Sequence, residues 1–262
     1  MSELDVSEFQ SQARDVNSNS ITELVKSYEE SGELSLVLTI GQRLYDSNQL
    51  AEARYYLKSG LAKTERESFE SAVIYRLLGN IALKESDFSE AESYYNRALE
   101  FDPLSETLHV NLGSLFVQNQ KYNQAMYYYT KAIQINSSCV KAWIGLAIVN
   151  RGKGEQDLAW ANLNRALDLD SDSLTAIHIC VDWAIQEENY YRALPWVMKY
   201  VANNPSNIEI KYTLAGMLFH LRRFSEARKN LHEILEFSPG WLKAIELIEL
   251  IRLEGVAIDK MD

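Results

Sequence analysis

The chain has little of what a β-rich or disulfide-built fold requires. Its 262 residues include only 4 Pro, 11 Gly and 2 Cys. So few turn formers leave small room for the many tight reversals of a sandwich or barrel, whereas 47% hydrophobic residues suffice to bury a sizeable core. An all-α protein is expected. Two thiols, Cys139 and Cys180, make neither a disulfide framework nor a metal set. Positive charge is also scarce, with 26 Lys and Arg against 37 Asp and Glu and a formal net charge of −11. This disfavours a nucleic-acid partner, because phosphate binding needs a basic face. No apolar run approaches the roughly 18 residues of a membrane-spanning helix. The start MSELDVSEFQ is too acidic and polar for an ordinary secretory signal. Together these absences predict a cytoplasmic chain with no direct membrane insertion.

Signals of chemistry are missing too. His109, His178, His220 and His232 stand far apart, without the i, i+4 pairing or neighbouring Cys that would suggest zinc. The stretch DLDSDSLTAIHI at 168–179 begins like a calcium loop, but Ser173 stands where the sharp turn needs Gly and Ile179 where a bidentate Glu belongs. RGKGEQ at 151–156 lacks the spacing and hydroxyl of a phosphate-binding loop, so its glycines read as shaping a bend between helices. Spacing assembles no nucleophile, base and orienter. The chain reads as non-enzymatic, with no cofactor and no metal.

What the sequence does have is a period. In LLGNIALKESDFSEAESYYNRALEFDP, residues 77–103, Gly79, Ala91 and Ala98 interrupt stretches of large apolar side chains. Gly inside a helix costs about 1 kcal/mol relative to Ala, so close approach of another element must make its lack of bulk useful. Steps of 34 residues lead from Gly79 to Gly113, Ala147, Val181 and Ala215, and from Ala91 to Ala125, Ala159, Ala193 and Ala227. Ala98 leads likewise to Ala132 and Ala166, then to the larger Tyr200 and Ile234; Pro103 leads to Ser137, Ser171, Pro205 and Pro239. Bulky positions keep the same step: Leu78, Leu112, Leu146, Cys180 and Leu214, then Phe88, Tyr122, Gln156, Tyr190 and Phe224. A fixed period of this length is the mark of a repeat architecture.

This pattern of Leu, Gly, aromatic, Ala, Ala and Pro positions resembles the tetratricopeptide repeats. The resemblance implies a right-handed α-solenoid of helix-turn-helix units at 72–105, 106–139, 140–173, 174–207 and 208–241, with a degraded unit at 34–67. Cys180, on a Leu position, reads as an inert core thiol. Residues 1–33 read as an acidic arm, with eight acidic residues against Arg14 and Lys26. A short helix is expected around Phe9, and a second opens at a capping box, Ser20 with Glu23, and runs to about Glu30. From Leu242 to about Glu254 an apolar-periodic helix would close the exposed end of the stack, followed by a frayed tail. Pro195 sits near the first turn of its helix, so a small kink at most is expected.

The resemblance also implies a concave groove lined by the second, fifth, ninth, twelfth and thirteenth residues of each unit. The candidate partner-binding residues are Arg76, Asn80, Lys84, Lys141, Ile144, Ile148, Arg151, His178, Asp182, Ile185, Tyr212, Phe219 and His220. Relatives that grip the carboxylates of heat-shock chaperones repeat Lys and Asn at the fifth and ninth positions. Here Arg76 and Asn80 are followed by Val110 with Ser114 and Ile144 with Ile148, so that clamp is absent. The expected function is a protein-binding adaptor holding a peptide or helix of a partner in its groove. Two alternatives are a scaffold that self-assembles through the N-terminal arm or the helix around Trp241, and a dedicated chaperone for a secretion, pilus or motility subunit.

Overall fold

The computed structural model describes residues 20–63 and 69–258, and every regular element among them is a helix. The short helix expected around Phe9 lies outside these residues. The first described helix, α1 (Ile21–Ser31), opens on the expected capping box. The Glu23 N–H donates to Ser20 Oγ at 3.3 Å and the Ser20 N–H donates to Glu23 Oε2 at 3.0 Å. The helix ends at Gly32, whose φ of 70° lies in the left-handed region that glycine reaches without steric cost. Leu24 and Tyr28 of α1 are buried in the core. The C-terminal part of the acidic arm is therefore a packed helix, which a free tail could not be.

Thirteen more helices follow: α2 (Leu34–Asp46), α3 (Leu50–Lys63), α4 (Phe69–Lys84), α5 (Phe88–Phe101), α6 (Glu106–Gln118), α7 (Tyr122–Ile135) and α8 (Val140–Gly152); then α9 (Gln156–Leu169), α10 (Leu174–Gln186), α11 (Tyr190–Asn203), α12 (Ile208–His220), α13 (Phe224–Phe237) and α14 (Leu242–Ile258). Gly255 does not stop α14, which runs four residues beyond the Glu254 end read from the sequence. Pro195 is the sixth residue of α11 and leaves the helix continuous to Asn203. The chain divides into two compact units, one ending at Gly154 and the other beginning at Glu155. In the N-terminal unit α2 packs on α3, α4 on α5 and α6 on α7, and α2, α4, α6 and α8 touch in succession. In the C-terminal unit α10 packs on α11 and α12 on α13, while α14 packs against both α12 and α13.

One turn recurs in every unit. Asn48, Ser86, Gln120, Gly154, Glu188 and Arg222 all have positive φ, between 52° and 81°. At five of these turns the next residue's N–H reaches back five residues, as in Asp87 N to Ala82 O at 2.9 Å and Arg223 N to Leu218 O at 2.8 Å. That is the Schellman ending of a helix, which satisfies carbonyls otherwise left without partners. Four of the six positions hold residues with no liking for this conformation. Ser86→Gly and Glu188→Gly are each expected to stabilise the fold by about 0.5–1 kcal/mol, because the left-handed conformation disfavours a Cβ. Urea denaturation of the two variants checks this.

The small residues of the period mark contacts between paired helices. A Cβ placed on Gly79 would stand 2.5 Å from the Tyr95 ring, and one on Gly113 would stand 2.6 Å from Tyr129. Ala91, Ala98, Ala125 and Ala132 are fully buried beside them. Two large rings thus pack close against backbone, which only a missing side chain permits. Their hydroxyls are satisfied: Tyr95 Oη donates to Asn80 Oδ1 at 2.8 Å, and Tyr129 Oη lies 3.1 Å from Ser114 Oγ. Burial pushes both phenols above their ordinary pKa.

Candidate functional site

Residues at the second, fifth, ninth, twelfth and thirteenth positions of a unit fall on one side of its first helix, because spacings of three and four follow the 3.6-residue turn. In the N-terminal unit this places Arg76, Asn80 and Lys84 on α4, and Lys141, Ile144, Ile148 and Arg151 on α8. Burial decides which of them remain available. Ile144 is 7% exposed and belongs to the core, which corrects its expected place as a groove residue. Ile148 and Arg151 are half-buried, and Lys141 is exposed. Asn80 Oδ1 already accepts from Tyr95 Oη and, at 3.0 Å, from Asn111 Nδ2, so this amide is part of a structural joint. Lys84 turns toward the preceding repeat. Its Nζ donates to Asn48 Oδ1 at 3.2 Å and stands 4.5 Å from the centre of the Tyr45 ring.

Arg76 differs from its neighbours. Its guanidinium is half-buried, and burial pulls its pKa below the ordinary arginine value, with the Tyr95 phenol acting the other way. Among the described residues no carboxylate pairs with it. A charge taken partly out of water without an opposite charge is unfavourable, and arginine keeps its proton regardless. The group is a ready partner for a carboxylate that the described residues do not supply.

In the C-terminal unit the same positions carry His178, Asp182 and Ile185 on α10, and Tyr212, Phe219 and His220 on α12. His178, Asp182 and His220 are exposed, and Ile185 is 50% exposed despite its apolar side chain. The α12 rings are held by neighbours. Tyr212 meets Trp241 with ring centres 5.3 Å apart, Phe219 meets Phe224 at 5.7 Å, and His220 stacks on Tyr190 at 4.9 Å. Sequence reasoning missed two contributors. Leu250 and Leu253, one repeat step beyond Gly216 and Phe219, are 48% and 64% exposed on α14. Only the continuation of the register into the last helix signals them. Lys211, at a position filled by Tyr75, His109, Trp143 and Ile177 in other units, is buried and pairs with Glu233 at 3.0 Å. No feature of the sequence foretells that.

The rest of the surface offers little for chemistry. Cys180 is fully buried, and burial pushes its thiol up to about 12, far from a reactive thiolate. Among the described residues no three His, Cys, Asp or Glu side chains converge as metal ligands. No described helix is long and apolar enough to cross a membrane.

Paired helices with a left-handed turn inside each pair, stacked through small residues, define a helical-repeat protein whose accessible feature is a surface. The tetratricopeptide repeat profile matches residues 38–106 and 76–138. Those residues carry tetratricopeptide repeats, and the array they belong to is of the protein-interaction type. It is 24% identical over 185 residues to anaphase-promoting complex subunit 3 of Schizosaccharomyces pombe, a match covering 70% of this chain and 27% of that relative. The chain thus spans about a quarter of that relative's length. Among solved structures, pilF of Pseudomonas aeruginosa is similar at a TM-score of 0.60 and 16% identity, over 81% of this chain and 95% of that one. A tetratricopeptide repeat protein from Parabacteroides merdae is similar at 0.60 and 16%, over 94% and 98% of the two chains. At such identities the structural likeness shows the fold.

Proposed function

We propose that the chain is a non-enzymatic, cytoplasmic adaptor whose first-helix faces hold a peptide or helical segment of a partner protein. The observation that carries this reading is Arg76, a half-buried cation with no carboxylate against it among the described residues. A chain gains nothing in stability from such a group, whereas a binding surface gains a directional anchor. The exposed Ile185 and the braced rings of Tyr212 and Phe219 offer apolar anchors of the kind that dominate interfaces. Arg76→Met is expected to leave stability unchanged or raise it by up to about 1 kcal/mol, while weakening capture of a partner. Partners pulled down from native lysate with the wild type should be lost with Arg76→Met or with Tyr212→Ala, Phe219→Ala, provided circular dichroism shows each variant folded. An unchanged set of partners would withdraw the reading.

A second reading is self-assembly, with the acidic N-terminal segment of one copy docked on the N-terminal unit of another. Charge supports it. Residues 1–19 hold four acidic residues against Arg14, and Arg76 and Lys141 are basic groups on that unit. The deletion that tests it must stop at residue 19, because α1 is part of the core. Concentration-dependent association in sedimentation that vanishes on that deletion favours assembly; a monomer at high concentration refutes it.

A further inference from the structure

Gly216 poses a question that packing does not answer. A glycine within a helix is destabilising relative to alanine. At Gly41, Gly79, Gly113 and Gly145 the reason is visible, since an added Cβ would press within 2.7 Å of a neighbouring side chain. At Gly216, in the middle of α12, a Cβ would meet nothing within 4 Å. The fold tolerates any small side chain there and carries none. Tyr212 lies one turn before this gap and Phe219 and His220 one turn after it, their rings braced by Trp241, Phe224 and Tyr190. One repeat step onward the same face continues into Leu250 and Leu253, both exposed. Open space over backbone, flanked one turn to either side by these aromatic residues, thus forms a notch.

The charges around the notch choose its occupant. Asp182, Glu209, Glu246 and Glu254 occupy the exposed inner positions of α10, α12 and α14, and the only lysine or arginine at those positions is Lys243. An acidic rim repels acidic chains and attracts basic ones. We propose that this face of the C-terminal unit is the docking site for a basic amphipathic segment of a partner protein, whose large apolar side chain seats over Gly216. The inference rests on the adaptor reading and adds the chemistry of the partner. It sets the C-terminal face apart from the N-terminal one, where Arg76 and Lys141 suit an acidic segment.

A display library of random peptides of about 16 residues, long enough for four helical turns, is panned against the immobilised full chain. Binding of selected peptides is then measured by fluorescence anisotropy. The expected winners combine Lys or Arg with a Leu, Phe or Trp anchor and bind more weakly as salt is raised. Gly216→Leu, which fills the notch, should weaken them at least about tenfold, as should the exposed charge reversal pair Asp182→Lys, Glu246→Lys. Arg76→Ala should not. Gly216→Ala serves as the folding control and should raise Tm. Winners that are acidic, or that ignore both Gly216→Leu and the charge reversal, overturn the inference while the adaptor reading survives through Arg76. Failure to enrich any peptide over a surface coated with Gly216→Leu also overturns it. Winners indifferent to every first-helix substitution refute both.

Discussion

Gly145→Ala is expected to destabilise the N-terminal unit by about 2–3 kcal/mol, although Gly to Ala inside an ordinary helix stabilises by about 1 kcal/mol. The sign reverses because of one ring. A Cβ on Gly145 of α8 would lie 2.3 Å from Cζ of Tyr129, and a Cβ on Gly113 of α6 would lie 2.6 Å from its Cε1. Tyr129 is therefore held between the backbones of two successive repeats. It is 3% exposed, and its hydroxyl is fixed beside Ser114, so the ring cannot swing clear. Gly113→Leu should cost more, about 3 kcal/mol or above, because it adds four carbons to the same gap. Urea denaturation measures both. The mechanism has its own check: in a Tyr129→Leu background the penalty of Gly145→Ala should shrink markedly, the coupling expected of groups in contact. A Gly145→Ala variant as stable as wild type would show that the ring is not confined.

The second large effect is expected at Lys211. Its side chain is 5% exposed, and its ammonium is paired with Glu233, which is 38% exposed. Removing the carboxylate by Glu233→Leu leaves a buried cation without a partner, at a cost of about 3 kcal/mol, the lower end for buried pairs because water reaches the glutamate side. Lys211→Met should be neutral or stabilising by about 1 kcal/mol, since an apolar side chain replaces an ion at a site where other repeats carry Ile177 or Trp143. Combining the two should behave like Lys211→Met alone. Denaturation of the three variants decides it, and equal losses from both single changes would mean that the pair itself, and not the stranded charge, matters.

Much of the fold was legible because its determinants are local or periodic. The 34-residue step located helix pairs, Ser20 with Glu23 announced the start of α1, and Gly79 and Gly113 marked contacts. The turns were harder. Only Asn48 and Gly154 advertise a left-handed residue, whereas Glu188 and Arg222 are driven into that conformation by the Schellman hydrogen bond and by the stacking of the helices on either side. Register says which side of a helix a residue occupies, and it cannot say how deep that side is buried. Ile144 therefore read as groove and proved to be core, while Leu250 and Leu253 went unnoticed on a helix assigned to capping. Register does separate Gly113, on the small position whose counterpart is Ala215, from Gly216 one position later in its unit. One is covered by a ring and the other is open.

The joints between repeats carry a consequence for how such a chain changes over time. Tyr95 reaches Asn80 in its own repeat, and Asn80 in turn holds Asn111 of the next. Tyr129 fits against Gly113 in its own repeat and Gly145 of the next. One junction is a polar handshake and the following one a steric key. Interchanging the two repeats, or copying one beside itself, would set a ring against an asparagine and an amide against empty backbone. The order of the repeats in this unit is thus written into their junctions, so the array can lengthen or shrink only at places where both halves of a junction move together.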